Sequence, residues 1–183
     1  MRPVFTLTVV TSQDGFIARA IDDAPQSWAS SEEQDLFFAD VEAADWAIMG
    51  RHTHEAADRP ERRRIVFSAA AGAGEWRRPT QLWLDPARLG SQDLADRVAH
   101  IRPMHTGLIL GGTRVHVWFL GRRAIDRVHL TVEPVTFGVG LPMFTGHAGA
   151  PGAVLAAMGF ERLCDRALNA AGTRHSVWQP KPA

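Results

Sequence analysis

The 183-residue chain has a single cysteine, Cys164. No intramolecular disulfide can form, and a cysteine-rich metal site is excluded. Lysine also occurs once, at Lys181, so arginine carries almost all of the basic charge, and 20 basic and 20 acidic residues cancel to a formal net charge of zero. A neutral chain with dispersed arginine lacks the electrostatic footprint of a nucleic-acid binder. No apolar stretch approaches membrane-spanning length, and Met1 to Phe5 lead into a strand-like run rather than a signal peptide. The expectations are therefore no nucleic-acid partner, no membrane partner and a cytoplasmic location.

What is present is a domain-sized chain with 45% apolar residues, enough to bury one core across residues 1–183. Phe5 to Val10 reads as a buried strand closed by an Asp14-Gly15 turn. A loop of about fifteen residues then ends near Trp28, long enough to act as a lid. Ser30 with Glu33 three residues later matches a capping box, and Phe37, Val41 and Ala44 continue at helical spacing, which predicts a helix over 31–44. Short strands at 46–49, 65–67, 81–84 and 108–110 alternate with helices. One helix is predicted to be capped by Ser91, with Leu94, Val98 and Ile101 on its apolar face. Such alternation predicts a mainly parallel central sheet with helices on its faces. Residues 160–167 and 173–178 flank Asn169-Ala170-Ala171-Gly172 as an antiparallel hairpin, while 69–74 and 146–152 read as surface loops.

Two distant segments carry the chemistry. Ala47-Ile48-Met49-Gly50-Arg51-His52-Thr53 and Leu110-Gly111-Gly112-Thr113-Arg114 each read as a buried strand running through a glycine turn into a helix start. Backbone N–H groups and the helix dipole can hold a phosphate there, and two such places in one small chain suggest a dinucleotide. Gly111 and Gly112 lack Cβ, so a pyrophosphate can approach the following amides closely. Neither segment is GxGxxG, and no lysine follows the glycines as in a P-loop. The plainer alternatives are tight turns for the glycines, N-caps for Thr53 and Thr113, and a surface ion pair for Arg51.

On these residues the sequence resembles the dihydrofolate reductase superfamily over nearly its whole length. Gly50-Arg51-His52-Thr53-His54-Glu55, Arg59-Pro60 and Arg64-Ile65-Val66-Phe67-Ser68 are similar to the family's first cofactor loop, helix and next strand. Leu110 to Val115 with Phe119-Leu120 are similar to its glycine-pair turn and helix. Thr11 to Ala18 and Phe137-Gly138-Val139-Gly140-Leu141-Pro142-Met143-Phe144 lean toward the pyrimidine reductase branch of riboflavin biosynthesis. The resemblance implies a three-layer α/β fold, its central sheet mostly parallel with a C-terminal antiparallel hairpin, and NADPH as cofactor. Cofactor contacts are implied for Val10, Ile17, Gly50, Arg51, His52, Thr53, Ser68, Gly111, Gly112, Thr113, Arg114 and Val115. Arg51 and His52 would meet the 2'-phosphate, a dianion that suits a guanidinium fork. Two positions depart from the family: Ala69 replaces a frequent hydroxyl, and His116 stands where many members carry an aromatic hydroxyl. Stand-alone relatives imply a homodimer.

The resemblance places a substrate carboxylate early on the helix after Trp28, which selects Glu33 first and Asp35 second. Such a group would hydrogen-bond an aminopyrimidine or pterin edge and favour protonation of the nitrogen beside the reduced carbon. Acids are equally favoured in any first helical turn. Thr131 matches the hydroxyl that supports the family's carboxylate, or is simply a β-branched strand former. His52 and His54 have no third ligand at metal spacing, so no catalytic metal is expected. Arg62, Arg63 and Arg64 would meet a folate-tail carboxylate or a substrate phosphate, or form a solvated run. The implied activity is NADPH-dependent hydride delivery to a carbon bonded to nitrogen in a small-molecule pyrimidine, as in 5-amino-6-(5-phosphoribosylamino)uracil reductase. Reduction of a pterin by a dihydrofolate reductase, and a non-catalytic NADPH-binding module, are the alternatives.

Overall fold

Alternation along the central strands divides the molecule into layers. The structure, a computed structural model, describes residues 1–182. It begins with β1 (Val4–Thr11), the short β2 (Phe16–Ala18), α1 (Ser31–Ala43), β3 (Trp46–Gly50), α2 (Arg51–Ala56) and β4 (Arg64–Phe67). β5 (Glu75–Arg78), β6 (Gln81–Leu84), α3 (Ser91–Val98), β7 (Thr106–Gly111) and α4 (Thr113–Gly121) follow. The last third holds β8 (Arg127–Val132), β9 (Leu141–Pro142), α5 (Pro151–Ala157), β10 (Phe160–Ala167) and β11 (Arg174–Pro180). Nine strands form one sheet in the order β10-β11-β8-β1-β7-β3-β4-β6-β5. The six strands from β8 to β6 run parallel, whereas β11, β10 and the edge strand β5 are antiparallel to their neighbours.

The two faces of this sheet are unequal. Phe5, Leu7, Trp46, Ile48, Ile65, Leu82 and Leu84 point to one side, where Leu94 and Val98 of α3, Phe119 of α4 and Leu155 of α5 close a continuous core. The intervening residues Ala47, Met49, Val66 and Trp83 form only a small apolar patch on the opposite side. That second side is covered by α1 and α2, and Glu33 is the only buried residue of α1. A helix whose single buried residue is acidic cannot be held by apolar burial alone.

Local chemistry departs from expectation in a few places. Ser30 caps α1 by accepting the Glu33 N–H at 3.3 Å, but the Glu33 carboxylate does not return the bond. The Ser30 N–H goes instead to Glu133, at 2.7 Å. In α3 the cap is Gly90, whose N–H meets the Asp93 carboxylate at 2.7 Å, so Ser91 is the first helical residue. Ile101 falls beyond that helix and is 44% exposed. Pro151 opens α5 inside a stretch read as loop, where its fixed φ suits a first helical position. The hairpin of β10 and β11 pairs as expected, from Phe160 opposite Pro180 to Ala167 opposite Arg174.

Candidate functional site

Between α1, α2 and the loop after β2, the less apolar side of the sheet opens as a cleft of about 1720 Å³. Its wall includes Val10, Ile17, Glu33, Gly50, Arg51, His52, Thr53, Ser68, Gly112, Thr113, Arg114 and Val115. Residues far apart in the chain thus meet because β1, β7, β3 and β4 are neighbours and their C-terminal ends point the same way. Three expected site residues lie off the wall. Asp35 is exposed outside the cleft. Thr131 is 4% exposed under α1, where its hydroxyl meets Nδ1 of His175 at 3.1 Å. Gly111 is buried just behind the wall at φ +104°, a conformation open to glycine, and its peptide bond to Gly112 is cis.

The two glycine turns differ as anion sites. α4 runs for nine residues from Gly112, an N-cap without a side-chain bond. The Thr113 hydroxyl donates to the Pro142 carbonyl at 2.6 Å, tying this turn to β9 and leaving the cap to the backbone. α2 has only six residues, too few to sum a full macrodipole, so charge at that turn falls to the exposed Arg51 and His52. Arg51 and Arg114 enter none of the ion pairs among the described residues. Both guanidinium groups are uncommitted at the cleft wall.

Glu33 has an unusual setting. It is 5% exposed, and its carboxylate accepts no hydrogen bond from the described residues. Burial, reinforced by the charges of Glu133 and Asp40, pushes its pKa up to about 7. Both neighbouring acids have protein partners. Glu133 accepts from the Ser30 N–H, the Ser30 hydroxyl and the Thr173 hydroxyl, each at 2.7 Å. Asp40 accepts from the Thr8 hydroxyl at 2.7 Å and lies 2.8 Å from Nδ1 of His129. Glu33 is thus the member of this acidic group without a protein partner, and it lines the cleft.

The arginine run is divided. Arg59, Arg62 and Arg63 line the far end of the cleft, with Arg62 paired to Glu42 at 2.6 Å. Arg64 is 7% exposed and meets Nδ1 of His54 at 3.1 Å, so the three consecutive arginines are not one solvated surface. At the near end, Ile21 is 65% exposed on the wall, carried by a loop that Asp23 braces through Arg19 at 2.7 and 2.8 Å and Ser27 at 3.1 Å.

Sequence reasoning missed Glu133, Asp40 and the character of His116. Glu133 lies 103 residues from Ser30, and no local pattern announces so distant a partner. His116, open to reading as a half-exposed helix residue, is 1% exposed and lines the cleft. Its Nδ1 meets the Met143 carbonyl at 2.9 Å and its Nε2 has no partner. Burial pushes its pKa down to about 4, against the opposing effect of the Met143 bond.

No family model and no curated protein matches the sequence. Solved structures do. A Shewanella sp. PV-4 structure named for riboflavin biosynthesis superposes with a TM-score of 0.71 at 18% identity, covering 98% of this chain and 99% of that one. A Thermotoga maritima diaminohydroxyphosphoribosylaminopyrimidine deaminase/5-amino-6-(5-phosphoribosylamino)uracil reductase gives 0.72 at 16% identity, and Acinetobacter baumannii RibD gives 0.73 at 17%. The chain has the dihydrofolate reductase-like fold of these riboflavin-biosynthesis proteins. It spans 57% of the Thermotoga chain and 58% of the Acinetobacter one, matching nearly all of itself, 98%, in each case. In this reductase-like fold no helix among the described residues is long and apolar enough to cross a membrane.

Proposed function

We propose that the chain is an NADPH-dependent reductase acting on a C=N-type centre of a phosphorylated ribosylamino-pyrimidine, the reaction of a 5-amino-6-(5-phosphoribosylamino)uracil reductase. The observation that carries this reading is Glu33, a buried carboxyl without a protein partner that shares one cleft with two glycine turns. The residues present fit a dinucleotide. Uncommitted guanidinium groups flank the turns, and Gly112 at the wall has open space where a side chain would stand, so the backbone there can be approached closely.

NADPH, when bound, would supply the hydride. The chain's own part is to position, exclude water and manage a proton. With a pKa near neutrality, Glu33 holds a proton for a substantial fraction of the time at pH 7, and its protonated oxygen can donate to a ring or imine nitrogen. Once ionised, the same group accepts from an amino-pyrimidine N–H. Arg59 and Arg63 supply positive charge where the ribose phosphate would extend. The exposed Ile21 on the braced loop would gain apolar contact when the cleft fills.

Two measurements test the reading. Titrating the purified protein with NADPH and NADH while following fluorescence of its six tryptophans should give NADPH binding on the order of micromolar and much weaker NADH binding. Arg51→Leu should erase about tenfold to hundredfold of that preference, the value of one or two charge-assisted hydrogen bonds. NADPH oxidation is then followed with the ribosylamino-pyrimidine and, in parallel, dihydrofolate. Turnover of dihydrofolate alone would make the chain a pterin reductase. Tight NADPH binding without turnover of either substrate would make it a binding module.

A further inference from the structure

Arg64 is 7% exposed, lines the cleft and enters none of the ion pairs among the described residues. Its one side-chain hydrogen bond joins Nη1 to Nδ1 of His54, at 3.1 Å. A guanidinium only donates, so Nδ1 of His54 is the acceptor and the ring is neutral, with its protonated Nε2 lying 3.7 Å from Asp58 Oδ1. Burial holds the His54 pKa below its ordinary value, so the neutral form persists at neutral pH. The buried cation is therefore oriented by a neutral ring and is not balanced by a carboxylate.

Its neighbours do not supply the missing charge. Arg64 stands in the sheet between Ala47 of β3, which carries only a methyl group, and Gln81 of β6, whose amide donates to the Arg59 carbonyl at 2.8 Å. Asp58 is held by Arg78 at 2.7 Å, and Glu61 pairs with Arg62 at 3.9 Å. Arg59 and Arg62 add charge of the same sign. With Nη1 committed to His54, the opposite edge, Nε together with Nη2, is the fork that takes two oxygens of one oxyanion. The fully enclosed side-chain polar atoms without a partner among the described residues are Thr11 Oγ1, Trp28 Nε1 and His116 Nε2, so Nε and Nη2 of Arg64 keep open surface. Burying an uncompensated cation costs free energy, and such a group persists where a ligand anion completes it.

We propose that Arg64 is the specificity-determining residue of an oxyanion subsite beneath α2, where its Nε and Nη2 hold two oxygens of the substrate's phosphate monoester. That the anion belongs to the substrate rests on the proposed function, whereas the subsite itself does not. A phosphate dianion suits the place better than a carboxylate, because Arg59 and Arg63 line the same wall outside any ion pair among the described residues. Arg59 and Arg63 attract the anion, and Arg64 reads its geometry.

The test is NMR of the arginine Nε–H groups in the intact protein, with the Arg64 signal assigned from its absence in Arg64→Lys. Ribose 5-phosphate should move that signal, inorganic phosphate should compete, and ribose should leave the signal in place. Equilibrium titration should show ribose 5-phosphate bound about tenfold more weakly by Arg64→Lys, which keeps the charge and loses the fork, and about hundredfold more weakly by Arg64→Met. The signal of the wild-type protein decides the matter if either variant fails to fold. Ribose 5-phosphate that binds with the Arg64 signal unmoved, or that does not bind while NADPH oxidation with the ribosylamino-pyrimidine proceeds, overturns the inference and leaves the proposed function standing. If p-aminobenzoylglutamate moves the signal and ribose 5-phosphate does not, the fork reads a carboxylate and the phosphate assignment is overturned. A signal that ribose 5-phosphate moves in a protein that binds no NADPH keeps the subsite and overturns the proposed function. Binding of neither ribose 5-phosphate nor NADPH overturns both.

Discussion

Glu33 and His116 are buried ionisable groups displaced in opposite directions, and both displacements have consequences for stability. The Glu33 pKa rises from 4.5 to about 7 on folding, so between those values the folded protein keeps a proton that the unfolded chain releases. Stability therefore falls as pH rises through that window, by about 3 kcal/mol in all. His116 drops from 6.5 to about 4, so the unfolded chain takes up the proton first, and stability falls as pH decreases through that range. Glu33→Gln should raise the melting temperature at pH 8 and leave the His116 slope uncompensated, so that stability climbs with pH between 4.5 and 6.5. The same substitution should lower turnover by on the order of a hundredfold to ten-thousandfold with NADPH binding largely kept. His116→Gln should leave the Glu33 slope alone, so the fall in stability from pH 5 to pH 7 grows, and chemical denaturation at those two values measures it. Glu33 was legible in the sequence as an acid five residues after Trp28. Its unpaired state was not, because that depends on what Glu133 and Asp40 bond instead.

At the scale of elements, the join between α1 and the sheet is the informative one. Most of α1 is exposed or half-buried, and its N-terminus is fastened by Glu133 through Ser30 and onward to Thr173. Glu133 thereby holds the helix that carries Glu33 while its charge opposes ionisation of that group. Glu133→Gln keeps an acceptor and removes the charge, so the alkaline limb of the pH profile of kcat/KM should move to lower pH. A Glu133→Ala protein should instead lose stability by about 2 to 4 kcal/mol, with the Ser30 N–H, the Ser30 hydroxyl and the Thr173 hydroxyl left without their acceptor. Elements whose pattern is set by burial were readable: β1, β3, β4, β6 and the α1 cap follow from apolar runs and Ser30. β5 was not, since Glu75, Trp76 and Arg77 on this edge are all exposed and give no alternation. α5 hid behind Pro151-Gly152, residues that usually mark a loop.

For the whole molecule, the mainly parallel sheet with its terminal hairpin follows from strands alternating with helices and from a two-faced tail, both visible in the chain. The sequence could not rank the two faces of the sheet, because β3, β4 and β6 are buried on both. The pH slopes of Glu33 and His116 partly cancel between pH 4.5 and 6.5, so the intact protein should show a flatter stability profile there than either single variant. Urea midpoints across that range check the sum.

The unequal faces also bear on how this scaffold tolerates change. The large apolar cluster lies on one side, and only Ala47, Met49, Val66 and Trp83 form its small counterpart on the other. Along β3 cohesion and recognition are thus assigned to alternate residues, Trp46 and Ile48 facing the core and Ala47 and Met49 the cleft. A saturation-mutagenesis survey scored by cellular abundance should stripe β3 and β4 with a period of two, with Ile48 and Ile65 intolerant and Ala47 more permissive. Loss of that stripe would place the cohesive surface elsewhere. Its presence would mean that the cleft can be rewritten for new substrates while the chain continues to fold.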